Sequence, residues 1–204
     1  MSFRRIVESA AIGYLLGTIP SADIVSRIAT RGSVDIRSEG SGNPGGFNTM
    51  RVVGKKWGVA VIVADVAKGA LGGWAGRTVG GDAGAYVGAT ASIAGHIWPV
   101  WFGFNGGKGI GTAGGAALGV FPAYWPIDAS VVALSAAATR NSERSAQITA
   151  AAWTVASILW WRKRWPNAWG PEPSAGLVAF SAAGSAMVVL KFRQARLAAS
   201  GTAA

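Results

Sequence analysis

The chain has 204 residues, half of them hydrophobic and only 14% charged, with a mean hydropathy of +0.34 and a formal net charge of +10. The absence of cysteine and the single histidine exclude disulfides, thiolate catalysis, cysteine-ligated metals and multi-histidine metal sites. The basic residues stand between uncharged runs and form no aromatic RNA-binding pattern, zinc spacing or basic helix, which argues against a nucleic-acid partner and for a membrane setting.

Residues 6–28 read as a first helix, kinked at Pro20 and carrying Asp23 on its inner half. Arg4 and Arg5 ahead of it resemble the start of a signal peptide, but Glu8 interrupts the apolar run, and a retained first transmembrane helix is the better reading. Residues 30–56 are too polar and glycine-rich to span a bilayer. Residues 57–78 form a second helix with Asp65 and Lys68 one turn apart, placed to neutralise one another as a structural pair. A turn at Gly80-Gly81-Asp82 leads to a third helix over 83–94, which delivers His96 to the opposite face. Helices follow over 109–124, 127–138, 146–161 and 174–191, separated by an aromatic Phe-Pro and Trp-Pro turn, a polar loop over 139–145 and a Pro/Trp-rich loop over 162–173.

The fold expected is therefore all-α: a polytopic integral membrane protein with about seven transmembrane helices, a single domain over 1–204 and re-entrant or polar cytoplasmic loops. Seven crossings bring residues 30–56, 96–108 and 139–145 and the C-terminal tail to one side. The excess of lysine and arginine there makes that side cytoplasmic and the N-terminus external.

Two of these segments have the composition of anion sites. In 39–51, glycines free the backbone to wrap a ligand, Ser41, Asn43 and Asn48 offer neutral hydrogen bonds, and Arg51 offers a fork suited to phosphate. In 95–112, the turn Gly106-Gly107-Lys108-Gly109 is expected to expose backbone N–H groups and one ammonium to a phosphate. Lys108 at the start of a helix faces an already positive helix end, an arrangement that favours a bound anion. The spacing from Lys108 to Thr112 fails the nucleotide-binding P-loop pattern, which argues against a nucleotidase. His96 suits a general base or an interfacial hydrogen-bonder, and the loop over 139–145, with Arg140, Ser142 and Ser145, suits a phosphate contact or a plain connection.

These segments resemble those of the bacterial membrane glycerol-3-phosphate acyltransferases that use acyl phosphate, the PlsY family, over nearly the whole chain. The family segment GSGNxGATNVLR is matched by 40–51, with Gly46-Phe47 for Ala-Thr. GHxFPVFxxFKGGKGVAT is matched by 95–112, with Asn105 for the first lysine, and DxxKG by 65–69. The third segment keeps Thr139-Arg140 and paired serines as Ser142 and Ser145. The fourth departs: Phe192 and Ala195 stand at histidine and asparagine positions, and Gly201-Thr202-Ala203 lacks the final glutamate.

The resemblance implies a seven-helix enzyme of the bacterial plasma membrane with its active site facing the cytoplasm. It would transfer a fatty acyl group from acyl phosphate to the 1-hydroxyl of glycerol 3-phosphate, giving lysophosphatidate and phosphate, with no metal or cofactor and with membrane lipids around it. It implies His96, Lys108 and Ser142 in catalysis, with His96 orienting or deprotonating the glycerol hydroxyl. Ser41, Asn43, Asn48, Arg51, Gly106, Gly107, Arg140 and Ser145 would bind the phosphates. The altered tail leaves a second reading, a divergent member with another acceptor or none. The intramembrane charges Asp23, Asp65 and Lys68 leave a third, a small transporter.

Overall fold

The computed structural model describes residues 2–201, so Thr202 and Ala203 of the altered tail lie outside the described residues. Eight α-helices make up the architecture, with no strand among the described residues: α1 Phe3–Gly17, α2 Ser21–Thr30, α3 Gly46–Val52, α4 Lys55–Ile97, α5 Ile110–Val120, α6 Trp125–Thr139, α7 Ser142–Lys163 and α8 Ala175–Ala199.

The element boundaries differ from expectation in three places, each for a local reason. The first helix is broken rather than kinked: proline lacks a backbone donor, and α1 ends at Gly17 before α2 restarts after Pro20. The polar segment over 30–56 contains the short helix α3, which the turn-forming glycines on either side concealed. The turn expected at Gly80-Gly81-Asp82 is present: α4 is two helical arms joined at a kink at Gly80 (φ −122°, ψ 19°) and Gly81 (φ 59°, ψ −152°). A residue with a Cβ is strained at the backbone angles of Gly81, so glycine makes this hairpin possible. The loop expected over 139–145 shrinks to Arg140 and Asn141. Asn141 caps α7 by accepting from the N–H groups of Glu143 and Arg144, both at 3.0 Å.

The core of the assembly is α4 with α1 laid on it. In a membrane, lipid tails are as apolar as leucine, so helices associate through close packing rather than hydrophobic burial. Small residues supply that packing here. Gly72 and Gly76 of the first arm meet Gly88 and Gly84 of the second, and Gly13 and Gly17 of α1 lie against the backbone of Gly88 and Ser92. Ser9 adds a hydrogen bond from its hydroxyl to the carbonyl of Gly76 at 3.1 Å. On the other side Gly115 of α5 packs on Val66, and Gly69 receives the Thr112 backbone.

The remaining helices pack through larger groups. Trp153 of α7 meets Phe180 of α8 edge-on at 5.1 Å, and Phe121, Tyr124 and Trp160 form a ring cluster at the far end from the polar loops. Two helical elements, Lys55–Phe102 and Ala175–Ala199, are long and apolar enough to cross a membrane. A third is formed if Ile110–Val120 and Pro122–Thr139, bent by 117°, act as one broken span.

The glycine contacts give a direct test. Gly13→Val places a branched side chain onto the Gly88 carbonyl and is expected to cost about 1–3 kcal/mol or more by overpacking, lowering the thermal midpoint in detergent. Gly114→Ala, whose Cβ meets nothing within 4 Å, is expected to be tolerated.

Candidate active site

The first polar loop is organised by Asn48. This buried side chain accepts from the Ser41 N–H at 2.9 Å and donates to the carbonyls of Ile36 (3.2 Å) and Glu39 (3.0 Å). Its amide is fully occupied by the loop, which corrects the expectation that Asn48 binds phosphate: it shapes the turn that carries Ser41. Ser41 and Arg51 are exposed and Asn43 is half-buried. Arg51 makes no ion pair among the described residues, so its fork faces solvent at the end of α3.

The second segment folds back onto the end of α4. The Gly106 N–H donates to the carbonyl of Ile97 at 3.0 Å and the Gly107 N–H to that of His96 at 3.1 Å. These two amides satisfy carbonyls that the helix end leaves open. The expectation that they face a phosphate is therefore corrected. Both positions require glycine for close approach: a Cβ at Gly106 meets the His96 carbonyl, and one at Gly107 meets the His96 ring.

His96 is buried behind this turn. Its Nδ1 lies 3.6 Å from the carboxylate of Asp65, and that carboxylate pairs with Lys68 at 2.9 Å. Asp65 and Lys68 are each only 5% exposed, and Lys68 also donates to the carbonyl of Ile19 at 2.9 Å, beside the break at Pro20. A buried charge of this kind requires both a counter-ion and hydrogen bonds; Lys68 has both, whereas Asp65 Oδ1 has the ion pair alone. Asp23 is likewise paired, through a two-pronged contact with Arg37 at 2.6 and 3.1 Å. Arg37 stacks over Phe102 at 3.8 Å and donates to the Asn105 carbonyl at 2.7 Å.

Lys108 stands on the opposite side of the glycine turn. It is half-buried, makes no ion pair among the described residues, and lies 4.6 Å over the ring of Phe192. Burial lowers its pKa from the ordinary lysine value, and the carboxylate of Glu143 opposes that shift. Beside it, α5 starts without a side-chain cap at Gly109, and its first backbone hydrogen bond runs from Ala113 to Gly109 at 2.8 Å. The donors that an anion would meet here belong to the first turn of α5, which begins three residues after Gly107.

Lys108, Arg140, Ser142 and Arg196 line an open cavity of about 470 Å³, with Ala195 and Phe192 on its wall. Glu143 at its edge holds Arg196 at 3.3 Å. Ser142 is exposed and also lines a second, mainly apolar chamber of about 190 Å³ between α5, α6, α7 and α8. Ser145 is not at the polar cavity. Its hydroxyl is buried against that of Ser135 at 2.7 Å, in the wall of the apolar chamber, and this corrects its expected phosphate contact.

The structure thus groups Lys108, Arg140 and Ser142 at one cavity and His96, Asp65 and Lys68 in a buried cluster behind it. Ser41, Asn43 and Arg51 lie on the exposed first loop. Sequence reading missed Arg37 and Arg196, which carried only the general signal of basic residues on one side. The i to i+14 pairing of Arg37 with Asp23 crosses a helix break and has no local signature.

The chain matches the family model described as glycerol-3-phosphate acyltransferase over residues 7–199. It is 34% identical to glycerol-3-phosphate acyltransferase 1 of Moorella thermoacetica over 163 residues, covering 80% of this chain and 82% of that one. It is 40% identical to the glycerol-3-phosphate acyltransferase of Laribacter hongkongensis over 157 residues, covering 74% and 77%. Two solved structures of PlsY (YgiH), described as an integral membrane glycerol 3-phosphate acyltransferase, superpose with TM-scores of 0.74 and 0.75 at 26% identity. These are its glycerol 3-phosphate and lysophosphatidic acid forms, and the match covers 97% of this chain and 93% of PlsY. With the family model spanning nearly the whole chain, and relatives of 34–40% identity covering about three quarters of it or more, the chain belongs to the glycerol-3-phosphate acyltransferase family.

Proposed function

We propose that the protein transfers a fatty acyl group from acyl phosphate to the 1-hydroxyl of glycerol 3-phosphate, releasing lysophosphatidate and inorganic phosphate. The observation that carries this reading is the meeting of two cavities at Ser142. One is polar and lined by Lys108, Arg140 and Arg196, and the other is apolar and runs between the helices. A donor with a phosphate head and an apolar chain fits that pair of spaces. The family supports it, since the PlsY structures are named for glycerol 3-phosphate and lysophosphatidic acid.

In this reading the donor phosphate meets Lys108, Arg140, Ser142 and the open N–H groups at the start of α5. The acceptor approaches from the exposed Ser41, Asn43 and Arg51. The hydroxyl oxygen of glycerol forms a bond to the acyl carbonyl carbon, the bond from that carbon to the phosphate oxygen breaks, and the hydroxyl proton ends on the departing phosphate. The donor is already activated, so the protein's contribution is positioning and neutralisation of charge. His96 then acts as a positioning residue, fixing the glycine turn from behind. No metal or cofactor enters this scheme.

The same proposal places the chain in the bacterial plasma membrane with seven crossings: α1, the two arms of α4, α5, α6, α7 and α8. The basic polar loops and the cavity lined by Lys108 lie at one end, which the excess of basic residues assigns to the cytoplasm. The alternative of a transporter loses its motive, because Asp23 and Asp65 each have a cationic partner within the fold. The alternative of a changed acceptor keeps one specific observation, the substitution of Phe192 and Ala195 in the wall of the polar cavity.

Purified protein in detergent or lipid, supplied with palmitoyl phosphate and glycerol 3-phosphate, is expected to form lysophosphatidate. Phosphate release that depends on some other acceptor would support the changed-acceptor reading instead. Lys108→Ala is expected to lower kcat/KM about 10- to 100-fold, the worth of one charge-assisted hydrogen bond, and unchanged kinetics would overturn the site.

Because the Lys108 pKa is lowered, its positive charge is lost at a lower pH than for an ordinary lysine. Activity should fall on the alkaline side as this group deprotonates. Lys108→Arg, which stays charged, should move that limb to higher pH in a kcat/KM profile.

Gly107→Ala drives a methyl group into the His96 ring and is expected to lower activity by about tenfold or more through loss of turn geometry. If His96 acts on the turn, His96→Ala should relieve part of that loss, so the two changes are non-additive in a double-mutant cycle.

A further inference from the structure

The apolar chamber between α5, α6, α7 and α8 ends at one level on three of these helices. On α7 it is lined from Ser142 through Ala146 and Ala150 to Trp153, positions that share a helix face. Its deepest lining residue is Asp128 on α6 and Ser185 on α8. The Ser135–Ser145 contact of 2.7 Å ties α6 to α7 near the mouth. Asp128 and Trp153 lie seven and eight residues from that contact, on the same side of it and roughly 10 to 12 Å away. Ser185 donates to the Ala150 carbonyl at 3.1 Å and accepts from the Thr154 hydroxyl at 3.3 Å, which sets it level with Trp153.

Below that level the space is filled. The Trp153 ring meets Phe180 edge-on at 5.1 Å and lies against Gly184, where a Cβ would come within 3.0 Å of it. Trp153 is 5% exposed, and Phe180 and Leu177 farther along α8 are 1% and 0% exposed. In a core packed this closely the ring has no room to swing aside.

We propose that Trp153 is the floor of the chamber and limits the acyl chain it accepts to about fourteen carbons. The inference rests on the reading of the chamber as the acyl-chain site and adds the length class of the chain. The depth follows from the helix: Ser142, where the polar cavity begins, and Trp153 are eleven residues apart, roughly 16 Å along α7. Carbon–carbon bonds of about 1.5 Å at tetrahedral angles advance an extended chain by about 1.25 Å each, so roughly 13 bonds fit. A chain with four more carbons is about 5 Å too long. It must coil against the helices or hold its carbonyl away from Lys108 and Arg140.

The test compares decanoyl, tetradecanoyl and octadecanoyl phosphates as donors with glycerol 3-phosphate. In the unaltered protein, kcat/KM is expected to be highest with tetradecanoyl phosphate and about tenfold lower with octadecanoyl phosphate. Trp153→Leu lowers the floor, so the octadecanoyl to tetradecanoyl ratio should rise toward one or above. Ala150→Leu raises the floor to roughly 12 Å from Ser142, or roughly 10 bonds. The decanoyl to tetradecanoyl ratio should then rise about tenfold. Each ratio is taken within one preparation, so a partly unfolded variant does not mimic either shift.

Equal kcat/KM for tetradecanoyl and octadecanoyl phosphates in the unaltered protein, or a ratio that either folded variant leaves in place, overturns the proposal. If one variant does not fold, the unaltered profile and the other variant decide. Absence of turnover with every donor would instead count against the acyltransferase reading. In that event the binding of decyl, tetradecyl and octadecyl phosphates to the protein in nanodiscs still decides the chamber. A maximum at tetradecyl phosphate sustains the floor, and affinity that keeps rising to octadecyl phosphate overturns it.

Discussion

Two backbone hydrogen bonds, from Gly106 and Gly107 to the carbonyls of Ile97 and His96, set the geometry on which both sides of the site depend. They reverse the chain directly at the end of α4, so the residues on either side of the reversal face different spaces. Behind it lie His96, Asp65 and Lys68; ahead of it lie Lys108 and the open start of α5. Only glycine permits this approach, because a side chain at either position meets His96. The glycines therefore act as a partition between a buried charged cluster and an accessible cationic cavity, and the exposed donors come from the helix that follows.

The buried cluster is expensive in principle, since two charges removed from water recover that cost only with good geometry and further hydrogen bonds. Here the break at Pro20 helps. It brings the carbonyl of Ile19 within reach of Lys68, while Asp65 holds the other side of the ammonium. The same break lets α2 carry Asp23 to Arg37, which in turn reaches Asn105 just before the glycine turn. One proline thus couples the entry helix to the turn through two ion pairs. Both acids set deep in helices are thereby paired with cations of the fold.

Much of this was legible in the sequence. The alternation of uncharged runs and polar loops indicated an all-helical membrane architecture, the Asp65–Lys68 spacing indicated an ion pair, and the glycine-rich loops marked the site end. What stayed hidden had physical causes. The turn Gly80-Gly81-Asp82 was visible, but the close packing of the two arms it joins was not, because secondary-structure patterning does not report which glycines pack against each other. Asn48 and Ser145 carry ligand-binding chemistry in their side chains, yet Asn48 spends it on three backbone groups and Ser145 on Ser135. A polar residue's type states what it can bond, whereas its burial decides what it does bond.

The altered tail takes its meaning from the same distinction. Phe192 replaces a polar residue of the family pattern, and its ring sits 4.6 Å beneath Lys108. An aromatic face attracts the ammonium without neutralising it, so Lys108 is held in place while its full charge remains available. Ala195 opens the cavity wall rather than filling it, and Arg196 of α8, braced by Glu143, joins Lys108 and Arg140 as a third cation. The cavity wall therefore presents an aromatic ring and a methyl group at these two positions, beside three cations. Such a site favours gripping a phosphate over acid–base chemistry, which suits a donor whose leaving phosphate can itself take up the acceptor's proton.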